Sequence, residues 1–154
     1  MSNIFVAHFF MEEDKLEIVY EGTVYTQRTI VISAFFGGMF ASGYMLYKNF
    51  KTFGDDKKAA QTIIFSIIGF LFILAAGFIP VLEKIPGIFF SILFTMMTSL
   101  LTGKLQGDLI SKHLNADGRI YSTGNAAAVC LVNILIILAF LLGAFFLQDI
   151  ATKN

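Results

Sequence analysis

The 154-residue chain has no tryptophan, one cysteine, two prolines and few charges. Each scarcity excludes something. Charged side chains make up 14% of the residues, against about 25% in soluble domains, so an ordinary water-facing surface cannot be built from them. A net charge of zero argues against nucleic acid as a partner, because phosphate backbones call for a dense basic patch. The lone thiol, Cys130, cannot form an intramolecular disulfide. It sits inside an apolar run and reads as a small buried hydrophobe, since a reactive thiol needs exposure and a nearby positive charge. Without tryptophan, any aromatic anchor at a membrane surface must be tyrosine. The opening "MSNIFVAHFFMEED" has no basic leader region, only a short apolar stretch, and acids directly after it. No cleaved signal peptide is expected.

What the chain has in excess is hydrocarbon. Hydrophobic residues make up 56%, phenylalanine alone supplies 18, and mean hydropathy is +0.76. Four uncharged runs are long enough to cross about 30 Å of bilayer core at about 1.5 Å per residue. They cover 29–47, 61–80, 86–102 and 126–148. Residues 81–85 are so short a connection that the second and third runs must form an antiparallel pair, with Pro80 closing one helix and Pro86 opening the next. The expected fold is all-α: an integral membrane bundle of four transmembrane helices over 29–148. An extramembrane segment precedes it at 1–28 and a short tail follows at 149–154. In the N-terminal segment Ile4, Phe5, Phe9 and Phe10 suit one face of a short interfacial helix. Leu16, Ile18 and Tyr20 alternate as a strand does, and Glu21-Gly22 offers a two-residue turn to a return strand at 23–25.

With the N-terminal segment, the 81–85 connection and the C-terminus on one side, that side holds four basic residues: Lys15, Arg28, Lys84 and Lys153. The other side holds seven: Lys48, Lys51, Lys57, Lys58, Lys104, Lys112 and Arg119. The excess of Lys and Arg in cytoplasmic loops then places both termini outside. Residues 104–114 carry Lys104, Asp108 and Lys112 along one helical line and Leu105, Leu109, Ile110 and Leu114 on another. This pattern predicts an amphipathic helix that leaves the third span and lies along the cytoplasmic interface. In "NADG", Asn115 and Gly118 are the residues expected to accept the left-handed conformation that ends it.

"YEGTVYTQRTIVISAFFGGMFASGYMLYKNFKTFG", the later Gln106-Gly107 and Tyr121-Ser122 together resemble a pattern in small multi-pass membrane proteins of Bacteroidetes-like bacteria, a group with no assigned function. The resemblance runs in order over most of the chain. It implies a bacterial inner-membrane location and carries over no catalytic residue.

Candidate sites are few. His113 is the one histidine near the predicted cytoplasmic face. A histidine base wants an orienting carboxylate, and neither Asp108 nor Asp117 stands three or four residues away from it. It is therefore expected at the interface, beside Leu109 and Leu114. His8 falls on the opposite side, so no shared metal is expected, and no cofactor is implied. Ser91, Thr95, Thr98 and Thr102 lie on one face of the third span. Their hydroxyls could line a polar path, bond back to the preceding turn or pack between helices. Asn133 is the most polar group deep in any span and should face protein, because an unpaired amide in lipid costs several kcal/mol on hydrocarbon scales. Its expected partner is a backbone carbonyl or a hydroxyl. Ala34, Gly38 and Ser42 form a small-residue ladder for close helix packing, within the bundle or in a dimer. Asp55 and Asp56 suit the first turn of the second helix; "FGDDKKAA" lacks the glycine frame of a phosphate loop.

No nucleophile–base pair appears, so the expected function is a non-enzymatic interaction, accessory or assembly role. The expected partners are the lipid bilayer and either a second copy or another membrane protein. The alternative is a small oligomeric transporter or channel lined by Asn133, Thr95, Thr98 and Gln61.

Overall fold

A computed structural model describes residues 21–76, 79 and 85–153. Their elements are β1 (Thr23–Val24), α1 (Gln27–Thr52), α2 (Asp56–Ala76), α3 (Gly87–Asn115), β2 (Arg119–Ile120) and α4 (Thr123–Lys153). The architecture is helical throughout, the two short strands forming a single parallel pair in which Thr23 faces Arg119 and Val24 faces Ile120. Three helices are long and apolar enough to cross a membrane: Gln27–Thr52, Gly87–Asn115 and Thr123–Phe146. Their outward side chains are apolar, and Phe36, Phe89 and Phe145 lie open along α1, α3 and α4. The strand proposed before Glu21-Gly22, and the interfacial helix before it, lie outside the described residues. Pro80 and most of the connection after α2 lie outside them too.

The length of α1 is not used in one direction. Gly38 leaves helical geometry at φ 71°, ψ −169°, and the chain doubles back there. The proof is at the two ends. In a straight helix, 24 residues would hold Tyr25 and Asn49 about 36 Å apart. Instead the Tyr25 amide donates to the Asn49 side chain at 2.7 Å, and the Thr52 hydroxyl donates to the Thr23 carbonyl at 3.2 Å. Helix α1 is thus a hairpin of two arms, 27–37 and 39–52, with its tip at Gly37-Gly38. Thr26 caps the first arm, accepting from the Thr29 amide at 3.2 Å.

This hairpin is the hub. Helices α2, α3 and α4 each pack on α1 and scarcely touch one another among the described residues. Small residues make the approach possible. A side-chain carbon on Gly43 would overlap the Ser66 hydroxyl of α2, and one on Gly37 would come within 2.9 Å of the Cys130 sulfur of α4. The small-residue face of the first span is therefore used inside the chain. The first arm runs parallel to the start of α4, from the Tyr25–Asn125 bond at one end to Gly37 beside Cys130 and Asn133 at the other. The second arm runs back along the same helix, where Phe40, Ala41 and Tyr44 share a groove with residues of α4 from Asn125 to Ile136.

Two expectations need correction. Residues 103–115 do not turn onto an interface. They continue α3 as one 29-residue helix, about 43 Å long, and bury Gln106, Ile110 and His113 against the rest of the fold. Of the apolar line only Ile110 is buried; Leu105 and Leu114 are exposed, and the face that meets protein is that of Gln106, Ile110 and His113. Secondly, residues 21–26 do not lie across the bundle from the α1–α2 and α3–α4 connections. The β1–β2 pair and the bonds to Asn49 and Thr52 put all three at one end, hereafter the clasped end.

The end of α3 also differs in detail. Asp117 takes the left-handed conformation at φ 54°, rather than Asn115 or Gly118. The Gly118 amide reaches back to the His113 carbonyl at 2.8 Å. Gly118 is there for space, because a side-chain carbon would collide with the His113 ring. At the start of α2, Asp55 accepts from the Lys58 amide at 2.9 Å and pairs with the Lys58 ammonium at 2.8 Å. These bonds, the side-chain one first, hold its carboxyl below the usual range.

Candidate functional site

Two buried polar centres organise the molecule, one at the clasped end and one at the hairpin tip. The clasp is built on Asn49. Its carbonyl oxygen accepts from the Tyr25 amide, and its NH2 donates to the Tyr25 carbonyl at 2.8 Å. A side-chain amide thus takes the place of a neighbouring strand, satisfying both backbone groups of Tyr25. The same NH2 donates to the Gln106 oxygen at 3.1 Å, and the Gln106 NH2 donates to the Leu46 carbonyl at 2.9 Å. Asn49 and Gln106 are fully enclosed, where each unmade bond would cost about 1–3 kcal/mol. Three segments of the chain meet here: the one before α1, the second arm of α1, and α3.

Tyr25 extends the clasp to α4. Its hydroxyl donates to the Asn125 oxygen at 2.5 Å, and its ring stacks on Tyr121 at 4.2 Å. The Tyr121 amide donates to the Val24 carbonyl at 2.9 Å, continuing the β1–β2 pairing. Burial pushes the Tyr25 phenol up to about 12, with Tyr121 adding to the shift. It stays protonated and acts as a donor at any physiological pH.

His113 closes the same end from α3. It is buried, not interfacial as its leucine neighbours suggested, with 1% of its surface exposed. Its Nε2 bonds the Arg119 carbonyl at 3.1 Å, and its ring meets the edge of Phe53. Nδ1 is the one fully buried side-chain nitrogen or oxygen without a partner among the described residues. Because the Arg119 carbonyl can only accept, Nε2 is the donor in that bond. Asp108 is exposed on its helix and does not join His113. His8 lies outside the described residues, and among those described no group of three His, Cys, Asp or Glu side chains could hold a metal.

The second centre is at the tip. The break at Gly38 frees carbonyls that would otherwise continue the helix ladder. The Asn133 NH2 of α4 donates to one of them, the Gly37 carbonyl, and Asn133 is buried. Its partner is a backbone carbonyl, as its depth required. On the second arm the Ser42 hydroxyl turns back to the Gly38 and Met39 carbonyls at 3.2 Å each.

The remaining candidate lining does not converge. Thr95 donates to the Ser91 carbonyl and Thr102 to the Thr98 carbonyl, both at 2.7 Å within their own helix. Thr98 is buried against the hub, whereas Gln61 is exposed on α2. The hydroxyl face of α3 is a packing face, continuing through Gln106 and Ile110 to His113. No family model, curated protein or solved structure matches the chain.

Two open grooves flank α4 where it meets the hairpin. One, of ≈ 630 Å³, runs along the first arm from Arg28 to Phe36, against α4 from Thr123 to Ile134. The other, of ≈ 430 Å³, lies along the second arm and includes Tyr44 and Asn125. Asn49, Gln106 and Tyr25 were not among the candidates legible beforehand. Asn49 stands near the end of α1 and Gln106 among the charged Lys104, Asp108 and Lys112 of α3, where polar residues are ordinary, and only the fold makes them neighbours of Tyr25.

Proposed function

We propose that the chain is a multi-pass protein of a bacterial inner membrane with three crossings and one re-entrant hairpin. In this reading α2, α3 and α4 each cross the bilayer, α2 with the apolar sequence that continues to residue 80. Helix α1 enters from the clasped side, turns at mid-depth and leaves on the same side. Dimensions support it: the 11 residues of the first arm reach about 16 Å, half of a hydrocarbon core of about 30 Å. Irregular backbone at such depth is tolerated where protein covers it, and Asn133 supplies that cover. The resemblance to small membrane proteins of Bacteroidetes-like bacteria supports the location.

Orientation follows the positive-inside rule with a sharper count than four straight spans allowed. Placing residues 21–28 at the clasped end, and the segment before them on the same side, gives that side Lys15, Arg28, Lys48, Lys51, Lys57, Lys58, Lys104, Lys112 and Arg119. Lys84 and Lys153 are left for the other. The clasped face is then cytoplasmic, with the N-terminus inside and the C-terminus outside. This replaces the expectation of two external termini and removes the need to translocate the acidic N-terminal segment.

Within that membrane the protein acts without chemistry of its own, as an interaction, accessory or assembly component. The observation carrying this is the bond from Asn133 to the Gly37 carbonyl. The group best placed to bind a solute is committed to holding the hairpin tip. Asn133→Leu should therefore lower stability by about 1 kcal/mol, the scale of an interhelical hydrogen bond in lipid. The purified chain in liposomes should conduct no ions or small solutes above empty vesicles, with or without the substitution. A flux that Asn133→Leu abolishes while the fold survives would instead establish the transporter reading.

A further inference from the structure

We propose that the groove between the first arm of α1 and α4 binds one anionic phospholipid of the cytoplasmic leaflet. The proposal rests on the membrane reading above. Its first support is shape. The groove holds ≈ 630 Å³ and is walled by Ile32 and Phe36 on one side and Leu131 and Ile134 on the other. It follows the first arm, about 16 Å from the clasped end to the tip. That is the depth of one leaflet, so an acyl chain entering at the interface runs out of groove where its own leaflet ends.

The second support is charge. Arg28 stands at the clasped mouth of the groove and is exposed. It has no acidic partner among the described residues, and none of the groove's lining residues there is acidic. A guanidinium matches a phosphodiester with two parallel N–H donors. Helices α1 and α4 both begin at this mouth, so their amide dipoles add favourable potential at the level of the headgroup. Apolar length below and, among the described residues, a cation without an acidic partner above fit an anionic lipid. A partner's transmembrane helix would need the apolar wall alone.

The absence of tryptophan makes the test direct. Ile32→Trp introduces a single reporter into the groove wall, and Leu131→Trp repeats it from the opposite wall. Phe72→Trp, on the exposed face of α2, reports on bulk lipid. Each full-length variant is placed in vesicles containing either dibrominated phosphatidylglycerol or dibrominated phosphatidylcholine, whose bromines quench by contact. At positions 32 and 131, half-quenching should need about fivefold less of the anionic lipid, the preference one basic residue confers at an anionic surface. At position 72 the two lipids should quench alike. Adding Arg28→Gln should erase the difference at 32 and 131. Equal quenching by both lipids at 32 and 131 would overturn the proposal, as would a preference that survives Arg28→Gln. Protection of 32 and 131 from both lipids, with 72 still quenched, would also overturn it and assign the groove to a protein segment. No quenching at any of the three positions would defeat the membrane reading itself.

Discussion

Asn49→Leu should unfasten the clasped end and cost about 3 kcal/mol or more. The substitution leaves the Tyr25 amide, the Tyr25 carbonyl and the Gln106 oxygen without their shared partner. Each buried orphan costs roughly 1–3 kcal/mol, and leucine returns only burial the site already had. Asn49→Asp should cost at least as much, because its carboxylate still accepts from the Tyr25 amide but is enclosed against two acceptor oxygens, the Tyr25 carbonyl and that of Gln106. Unfolding titrations in mixed micelles would rank the native chain above both variants. A leucine variant as stable as the native chain would mean that Asn49 does not hold the hairpin ends together.

Gly38→Val should have a comparable effect for a different reason. Space is not the difficulty: a side-chain carbon there would find its nearest neighbour, the Asn133 nitrogen, at 4.0 Å. The difficulty is the backbone. A φ of 71° with ψ of −169° lies in a region reached essentially by glycine alone, at a cost of about 1–3 kcal/mol for other residues, and a β-branched residue belongs at the top of that range. The variant's cheapest escape is to straighten α1. Spin labels at positions 28 and 51 sit at the two ends of the hairpin, whereas a straight helix separates them by about 35 Å. The native chain should show only the short distance and Gly38→Val a long-distance population. A short distance retained in full would show that the turn is not set by Gly38.

The hairpin explains which parts of the fold the sequence reveals. Hydrophobic length and helical periodicity are local signals, and both arms of α1 carry them, so residues 29–47 read as one uninterrupted span. Gly38 reads as one rung of a small-residue ladder, since glycine in an apolar helix is equally a packing residue and nothing local separates a close contact from a reversal. Without the reversal, residues 21–28 fall at the opposite end of the bundle. The hydroxyl face of α3 was legible as a face, and Thr98 and Thr102 do lie on its buried side. Its continuation through Gln106 to His113 was hidden because charged Lys104, Asp108 and Lys112 share those turns and suggested a water boundary. Asn133 was the easiest to find, since a lone amide among leucines and isoleucines has to bond to something. That the something is a carbonyl freed by the Gly38 break required the three-dimensional fold.

The fold-back of α1 puts residues 21 and 56 on one side of the membrane, and sidedness tests it. Single cysteines at Glu21, Asp56 and Lys153, each in a Cys130→Ser background, are exposed to a membrane-impermeant thiol reagent in right-side-out and inverted vesicles. With α1 folded back, positions 21 and 56 should react from the same side, in inverted vesicles, and position 153 from the other. Labelling of 21 and 56 from opposite sides would mean that α1 crosses the membrane as a straight helix, and would contradict the account.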